Sequence, residues 1–100
     1  MKALSIKQPW AHRIIKGLKQ IEYRSWSTDY RGPLLICSSK TPDTEGENLP
    51  LGMALGVVDL VNITKRNGEF NWHLRNPRRF KKPFPVKGKI KLFDVDYEEE

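Results

Sequence analysis

A single cysteine, Cys37, stands in 100 residues. One thiol cannot close an internal disulfide, and it excludes a metal site built on cysteine pairs. The only histidines, His12 and His73, lie too far apart in pattern for a metal site and lack an evident third ligand, so no metal is expected. No apolar run approaches the roughly 20 residues that a bilayer span needs, and no membrane partner is expected. The opening MKALSIKQPW has neither an apolar h-region nor a small-residue cleavage site, which sets the expectation of no secretory leader and a cytoplasmic address. A phosphate loop of the G-x-x-x-x-G-K-S/T type is missing, as is any spacing that supports a Ser–His–Asp triad. No cofactor is expected. Internal repeats and low-complexity tracts are also missing, and the length suits one modest core, expected as a monomer.

Acid is scarce where base is dense. Lys+Arg minus Asp+Glu is 18 − 12 = +6, but five of the twelve acids lie in the last seven residues. Residues 1–93 therefore carry 18 − 7 = +11. Residues 70–93 hold no acid and eight bases: Arg75, Arg78, Arg79, Lys81, Lys82, Lys87, Lys89 and Lys91. A body this basic favours an anionic partner, most often nucleic acid, over the blander role of a solubilising face.

The order of elements follows from periodicity. Residues 2–6 alternate as a short strand. Pro9 suits a first helical turn, Trp10, Ala11, Ile14 and Ile15 share one helical face, and Gly17 is a natural stop, so a helix is expected over residues 8–16. In residues 20–26, Ile21 and Tyr23 point one way and Glu22 and Arg24 the other. Residues 33–38 form an apolar run fit for a buried central strand. Residues 40–50, with Pro42, Gly46 and Pro50, read as a surface loop. A long strand over 53–63, with Gly56 as a bend, leads to the hairpin signal Asn67-Gly68 and a return strand over 69–74. Residues 76–85 read as a Pro- and Arg/Lys-rich connection, residues 87–95 as the last strand, and 96–100 as a disordered acidic tail after a domain at 1–95. One early helix and five or six short strands close most economically into an α+β fold, a small barrel with the helix over one opening.

Four residues carry the chemistry: Gly17, Lys19, Glu22 and Arg24, in the string G-L-K-Q-I-E-Y-R. Glu22 and Arg24 share one strand face, and Lys19 stands at the helix–strand junction, so a cation, an anion and a guanidinium can line one cleft. An ordinary ion-pair cluster on a strand is the competing reading. Trp26 and Trp72 are candidates to stack a base, with core packing as the alternative, and Trp10 is expected in the core. Lys7 is placed at the flank of the cleft, and Arg75, Arg78 and Arg79 head the basic stretch expected to carry a phosphate backbone. Cys37, in an apolar strand, is expected to be buried and inert.

The longer string resembles the ASCH domain, a family of PUA-like β-barrels. It comprises L-S-I-K-Q-P-W-A from Leu4, G-x-K-x-x-E-x-R-x-W from Gly17, Tyr30-Arg31-Gly32, L-G-V-V-D-L from Leu55, Asn76-Pro77 and F-P-V-K-G from Phe84. The likeness spans nearly the whole chain. It implies a cleft between helix and barrel lined by Lys19, Glu22 and Arg24, and RNA, DNA or a nucleotide or nucleoside as partner. Small bacterial members look like hydrolases that deacetylate N4-acetylcytidine with a Lys, a Thr and a Glu, and ribonuclease activity has been proposed for one. This chain keeps Lys19 but has Glu22 where those amidohydrolases have Thr, which removes the hydroxyl nucleophile. Binding is therefore the leading expectation, and hydrolysis of N4-acetylcytidine or RNA through Lys19 and Glu22 is the alternative.

Overall fold

The computed structural model describes residues 1–99. In chain order the elements are β1 (Lys2–Ile6), α1 (Trp10–Ile15), β2 (Ile21–Arg24), β3 (Gly32–Ser38), β4 (Met53–Arg66), β5 (Glu69–Pro85) and β6 (Phe93–Asp94). The six strands make one sheet in the order β2-β5-β4-β3-β1-β6. Only β1 and β3 pair in parallel, and the connection between them carries α1 and β2. The edge strands β2 and β6 share no ladder, so backbone hydrogen bonds do not close the expected barrel. A side chain ties across instead: Arg24 on β2 donates from Nη2 to the Ser5 carbonyl on β1, 3.2 Å away.

The apolar run behaves as expected of a central strand. Leu34, Leu35, Ile36 and Cys37 of β3 are wholly buried, with β4 on one side and β1 on the other. Successive side chains of β3 feed two separate clusters, because neighbours on a strand face opposite ways. Leu34 and Ile36 join Leu4, Ile6, Ile14, Val58, Leu60 and Trp72 on one face. Leu35 and Cys37 join Ala3, Ala54, Val57 and Phe93 on the other.

The helix is shorter than its apolar pattern suggests. Pro9 stands at its N-cap, and the chain enters through turns from Lys7. Buried Gln8 organises this entry: its Oε1 accepts from the His12 N–H at 2.8 Å, and its Nε2 donates to the Pro50 carbonyl at 2.9 Å. The C-terminus is a Schellman motif, with Gly17 N–H on the Ile14 carbonyl and Leu18 N–H on the Arg13 carbonyl. Gly17 has φ +79°, a conformation costly to a residue with a Cβ. This reversal sends the chain directly into β2.

The largest departure from expectation is β5. Residues 76–85 continue the return strand rather than connecting it, and β5 runs 17 residues against the 14 of β4. Two of the three register shifts in the ladder absorb Pro77 and Pro83. Asn76, at φ +56°, and Pro77 lie where Asp59 pairs Arg75 and Val57 pairs Arg78; Pro83 lies in the wider shift between Arg79 and Phe84. At a bulge the ladder asks for no N–H, which is what proline lacks. At the far end, Asn67 and Gly68 both have positive φ, the type I′ hairpin that their sequence signals.

The last strand is correspondingly shorter than expected. Only Phe93 and Asp94 pair, with Ala3 and Lys2, while residues 87–92 form an irregular loop. Beyond β6, the Tyr97 ring lies 5.1 Å from Phe80 and 5.7 Å from Phe84 between centroids. No helix among the described residues is long and apolar enough to cross a membrane.

Candidate functional site

The chain from Gly17 to Arg24 builds the floor of the site. On β2, the alternation seen in the sequence is inverted in its burial. Glu22 is 8% exposed, whereas Tyr23 is 56% exposed. The charged face of β2 thus turns inward on the curled sheet. It can do so because the carboxylate is paired. Glu22 Oε2 accepts from Arg24 Nη2 at 2.8 Å and Nε at 3.1 Å. Its Oε1 lies 3.5 Å from Lys19 Nζ. The Lys19 ammonium also donates to the Ile21 carbonyl and sits 4.8 Å from the centre of the Tyr23 ring. No buried side-chain polar atom among the described residues lacks a hydrogen-bond partner. The ordering of three charged groups at a water-poor face is therefore mutual.

Over this floor opens a cleft of about 1010 Å³. Four elements, β1, α1, β2 and the end of β3 at Ser38, and two loops meet there. Ser5 and Lys7 come from β1 and its exit, Trp10 from α1, and Glu22, Tyr23, Arg24 and Trp26 from β2 and its exit. The loop after β3 brings Lys40 and Asp43, and the loop before β6 brings Lys87, Lys89 and Lys91. The lining therefore holds six cations (Lys7, Arg24, Lys40, Lys87, Lys89, Lys91) and two acids (Glu22, Asp43), a balance of 6 − 2 = +4. Both acids are already engaged. Asp43 Oδ2 accepts from the Trp10 indole N–H at 2.7 Å, and Glu22 holds Arg24 and Lys19. Among the described residues none of the five lysines has an acid within 4.0 Å. Among the described residues no acid competes with a ligand for their charge.

The loop geometry explains how Lys40 arrives. The Asp43 N–H donates to the Gln8 carbonyl at 2.7 Å, and Gly52 N–H donates to the Ser38 carbonyl at 3.0 Å. With the Gln8–Pro50 bond, these pin both arms of the 40–52 loop beside the helix entry. The loop before β6 is held at its root by the Val86 N–H on the Gly52 carbonyl at 3.1 Å, and Gly88 passes close to Ser5, where an added Cβ would stand 3.2 Å from Oγ. At its other end Leu92 packs on the main cluster and Phe93 is buried.

The residues singled out from the sequence separate into groups. Lys7, Glu22, Arg24 and Trp26 line the cleft. Lys19 touches Glu22 from behind and lines a small separate hollow of about 50 Å³, with Arg75. Trp72 must be corrected: it is wholly buried, edge-on to Trp26 at 4.8 Å between centroids, and its indole N–H donates to the Trp26 carbonyl at 3.3 Å. A ring without an open face cannot stack a base; Trp72 instead supports Trp26 from below. Trp10, assigned to the core, is half-exposed in the cleft wall, with the Arg13 guanidinium 5.0 Å from its ring centre.

The arginines of β5 are also redistributed. Arg78 must be corrected as a phosphate contact, because its donors are taken. Nε and Nη2 bind the Glu99 carboxylate, each at 2.7 Å, and Nη1 binds Asp59 at 2.9 Å and the Asn76 carbonyl at 2.7 Å. These bonds raise the guanidinium's pKa still further above its ordinary value, and the Arg78 hydrogen bond holds the Glu99 carboxyl below its own. Arg75 and Arg79 are exposed but lie off the cleft lining. Cys37 is buried, which pushes its thiol up to about 12. Missed from the sequence were Tyr23, Lys40, Asp43 and the role of Trp10. Of these only Trp10 left a signal, a large aromatic at the very start of a helix.

A curled, mostly β sheet with one short helix is the PUA-like kind of small domain. The chain matches the family model of the ASCH domain over residues 4–92, and it belongs to that family. Its curated relatives include activating signal cointegrator 1 of Homo sapiens and of Mus musculus. Each is 30% identical over 127 aligned residues, covering 93% of this chain and 22% of the relative. The chain thus spans about a fifth of the length of those relatives. Among solved structures it is similar to the crystal structure of ASCH from Zymomonas mobilis, with a TM-score of 0.73 at 12% identity over 94% of this chain and 86% of that one. A tyrosine-to-phenylalanine mutant of the same bacterial protein gives a TM-score of 0.73 over 94% and 88%.

Proposed function

We propose that this chain binds RNA in the cleft above Glu22 and Arg24, with the strand's phosphates on the lysine rim and a base against the aromatic wall. The observation that carries the reading is the combination of five unpaired lysines with exposed parts of Trp10, Tyr23 and Trp26 around one cleft. Cations that follow a backbone and aromatic faces that take bases are the two components of single-strand recognition. On this reading the curled sheet is a PUA-like barrel opened between β2 and β6, with α1 and the two pinned loops at its mouth. Arg24 positions rather than reads, since its Nε and Nη2 are already committed to Glu22 and Ser5.

Binding is favoured over hydrolysis through Lys19 and Glu22 by the way those two groups are occupied. Glu22 Oε2 takes two guanidinium donors, and Lys19 donates to the Ile21 carbonyl and pairs with Glu22.

The test is a comparison of two charge-removing variants by fluorescence anisotropy of a labelled single-stranded RNA. Lys87→Gln/Lys89→Gln/Lys91→Gln removes three cleft cations; Arg75→Gln/Arg79→Gln removes two exposed cations off the cleft. The first should weaken binding by well over tenfold and the second by only a few-fold. Equal losses, or the larger loss from the arginine pair, would place the RNA on β5 and refute the cleft.

A further inference from the structure

The loop before β6 carries a side chain that its lysines do not explain. Ile90 is 89% exposed, the most exposed of the large hydrophobic residues among those described, and it stands between Lys89 and Lys91 in the cleft lining. A free aliphatic side chain on a soluble surface is ordinary by itself. Its setting is not. The loop is anchored at both ends, by the Val86 N–H on the Gly52 carbonyl at 3.1 Å and by Leu92 and Phe93 in the core. Lys91 has φ +58°, a left-handed conformation uncommon outside glycine and asparagine. A flexible cationic tether for phosphates would need neither anchors nor an aliphatic group. The apolar group is also within the same cleft as Trp10, Tyr23 and Trp26, so the cleft offers apolar surface from both its walls and its rim.

We propose that Ile90 is an apolar wedge that packs against an unstacked nucleobase held in the cleft, while Lys89 and Lys91 hold the phosphates on either side of it. The ligand class is therefore a single-stranded segment with at least one base out of its stack, rather than a duplex or a bare polyanion. Aliphatic side chains that enter base steps act in this way on duplexes, replacing base–base stacking with base–side-chain contact. Here the contact needs no unpairing if the ligand is already single-stranded. The inference rests on the reading that the cleft binds RNA, and it adds which atom group meets the base.

The experiment uses the whole chain with two probes, a single-stranded RNA octamer carrying one 2-aminopurine and a labelled inorganic polyphosphate. The variants are Ile90→Ser and Ile90→Leu; the exposure of Ile90 makes both compatible with folding. Ile90→Ser should weaken RNA about fivefold to tenfold, as expected for one partly covered aliphatic group. It should leave polyphosphate affinity and the salt slope unchanged, and it should lower the 2-aminopurine emission change on binding. Ile90→Leu should restore both RNA readouts. Undiminished RNA binding by Ile90→Ser, with the wild type still binding, would overturn the wedge and leave the cleft reading standing. Equal weakening of both probes would also overturn it, because a purely electrostatic loop would then suffice. No RNA binding by the wild type would overturn the cleft reading and the wedge with it. Binding of the wild type to phosphatidylserine vesicles, lost in Ile90→Ser while RNA affinity is unchanged, would assign the residue to a membrane surface instead.

Discussion

Replacing Arg24 by alanine is the perturbation that most directly tests the floor of the site. Glu22 is 8% exposed and takes two donors from Arg24, at 2.8 and 3.1 Å. The same guanidinium bonds the Ser5 carbonyl at 3.2 Å, a side-chain tie from β2 to β1. Removal of one partner from a fully buried pair costs about 3–5 kcal/mol, because the other charge is left uncompensated. Here Lys19 remains 3.5 Å from Oε1, and Arg24 itself is 22% exposed, so a smaller loss is expected. We take about 2–3 kcal/mol, which at about 4–8 °C per kcal/mol for a domain of this size lowers Tm by about 10–20 °C. Arg24→Lys keeps the charge but not the fork and should fall between. Adding Glu22→Gln to Arg24→Ala should recover part of the loss, since no charge is then stranded. Thermal melts followed by circular dichroism at low and high salt read all four proteins. A melt for Arg24→Ala within about 3 °C of the wild type would show the pair to be no more than a surface ion pair and would refute the reasoning.

Other outcomes follow from packing and titration. Gly56→Ala would set a Cβ 2.3 Å from the Arg78 carbonyl and 2.9 Å from Ile15 Cδ1, so β4 and β5 must part. Denaturant unfolding should show a loss of about 2–3 kcal/mol, and an unchanged midpoint would contradict that contact. The Glu99 carboxyl is held below its ordinary pKa, first by the Arg78 hydrogen bond. A folded pKa below the unfolded one contributes stability that is present above the unfolded value and lost as pH falls through the folded value. Glu99→Gln should therefore lower stability at neutral pH by about 0.5–1 kcal/mol and make little difference once the pH has fallen below the folded pKa of Glu99. A gap that persists in acid would contradict the titration. Cys37, with its thiol pushed up to about 12, should resist a thiol reagent at about pH 8 until denaturant is added; rapid labelling of the native protein would show the thiol to be accessible.

Much of this was legible from short-range pattern. The buried central strand, the glycine stop at Gly17 and the Asn67-Gly68 hairpin each rest on local chemistry, and each is where that chemistry puts it. Three features escaped because they depend on partners distant in the chain. Residues 76–85 look like a loop, since three prolines and four basic residues argue against a strand. Pairing with the long β4, with bulges at the prolines, overrides that propensity. The charged face of β2 was legible as a cleft wall with Lys19, but its burial depends on β1, whose Ser5 carbonyl takes the Arg24 guanidinium. Trp72 and Trp26 are equivalent as letters, and only the sheet's curl decides that one is covered by the other. The cleft cations divide in the same way: Lys87, Lys89 and Lys91 stood out as part of a basic stretch, whereas Lys40 came into place only through bonds from Gln8 to residues 43 and 50. The arginines of that stretch were misleading, because the acids that neutralise Arg78 come from β4 and from the end of the chain.

The central claim, that five unpaired lysines of one cleft hold the phosphates of an RNA strand, is tested most directly by the salt dependence of binding. Each single-strand phosphate contact contributes a slope of about −0.7 to log K against log salt, so five give about −3.5 and a fall of about 100-fold between 50 and 200 mM. Lys87→Gln/Lys89→Gln/Lys91→Gln leaves two of the five, with a slope of about −1.4 and a fall of about sevenfold over the same range. A wild-type slope near −3.5 that falls to about −1.4 in the variant is the predicted result; a slope near zero in the wild type, or one that the three substitutions leave unchanged, would contradict the account.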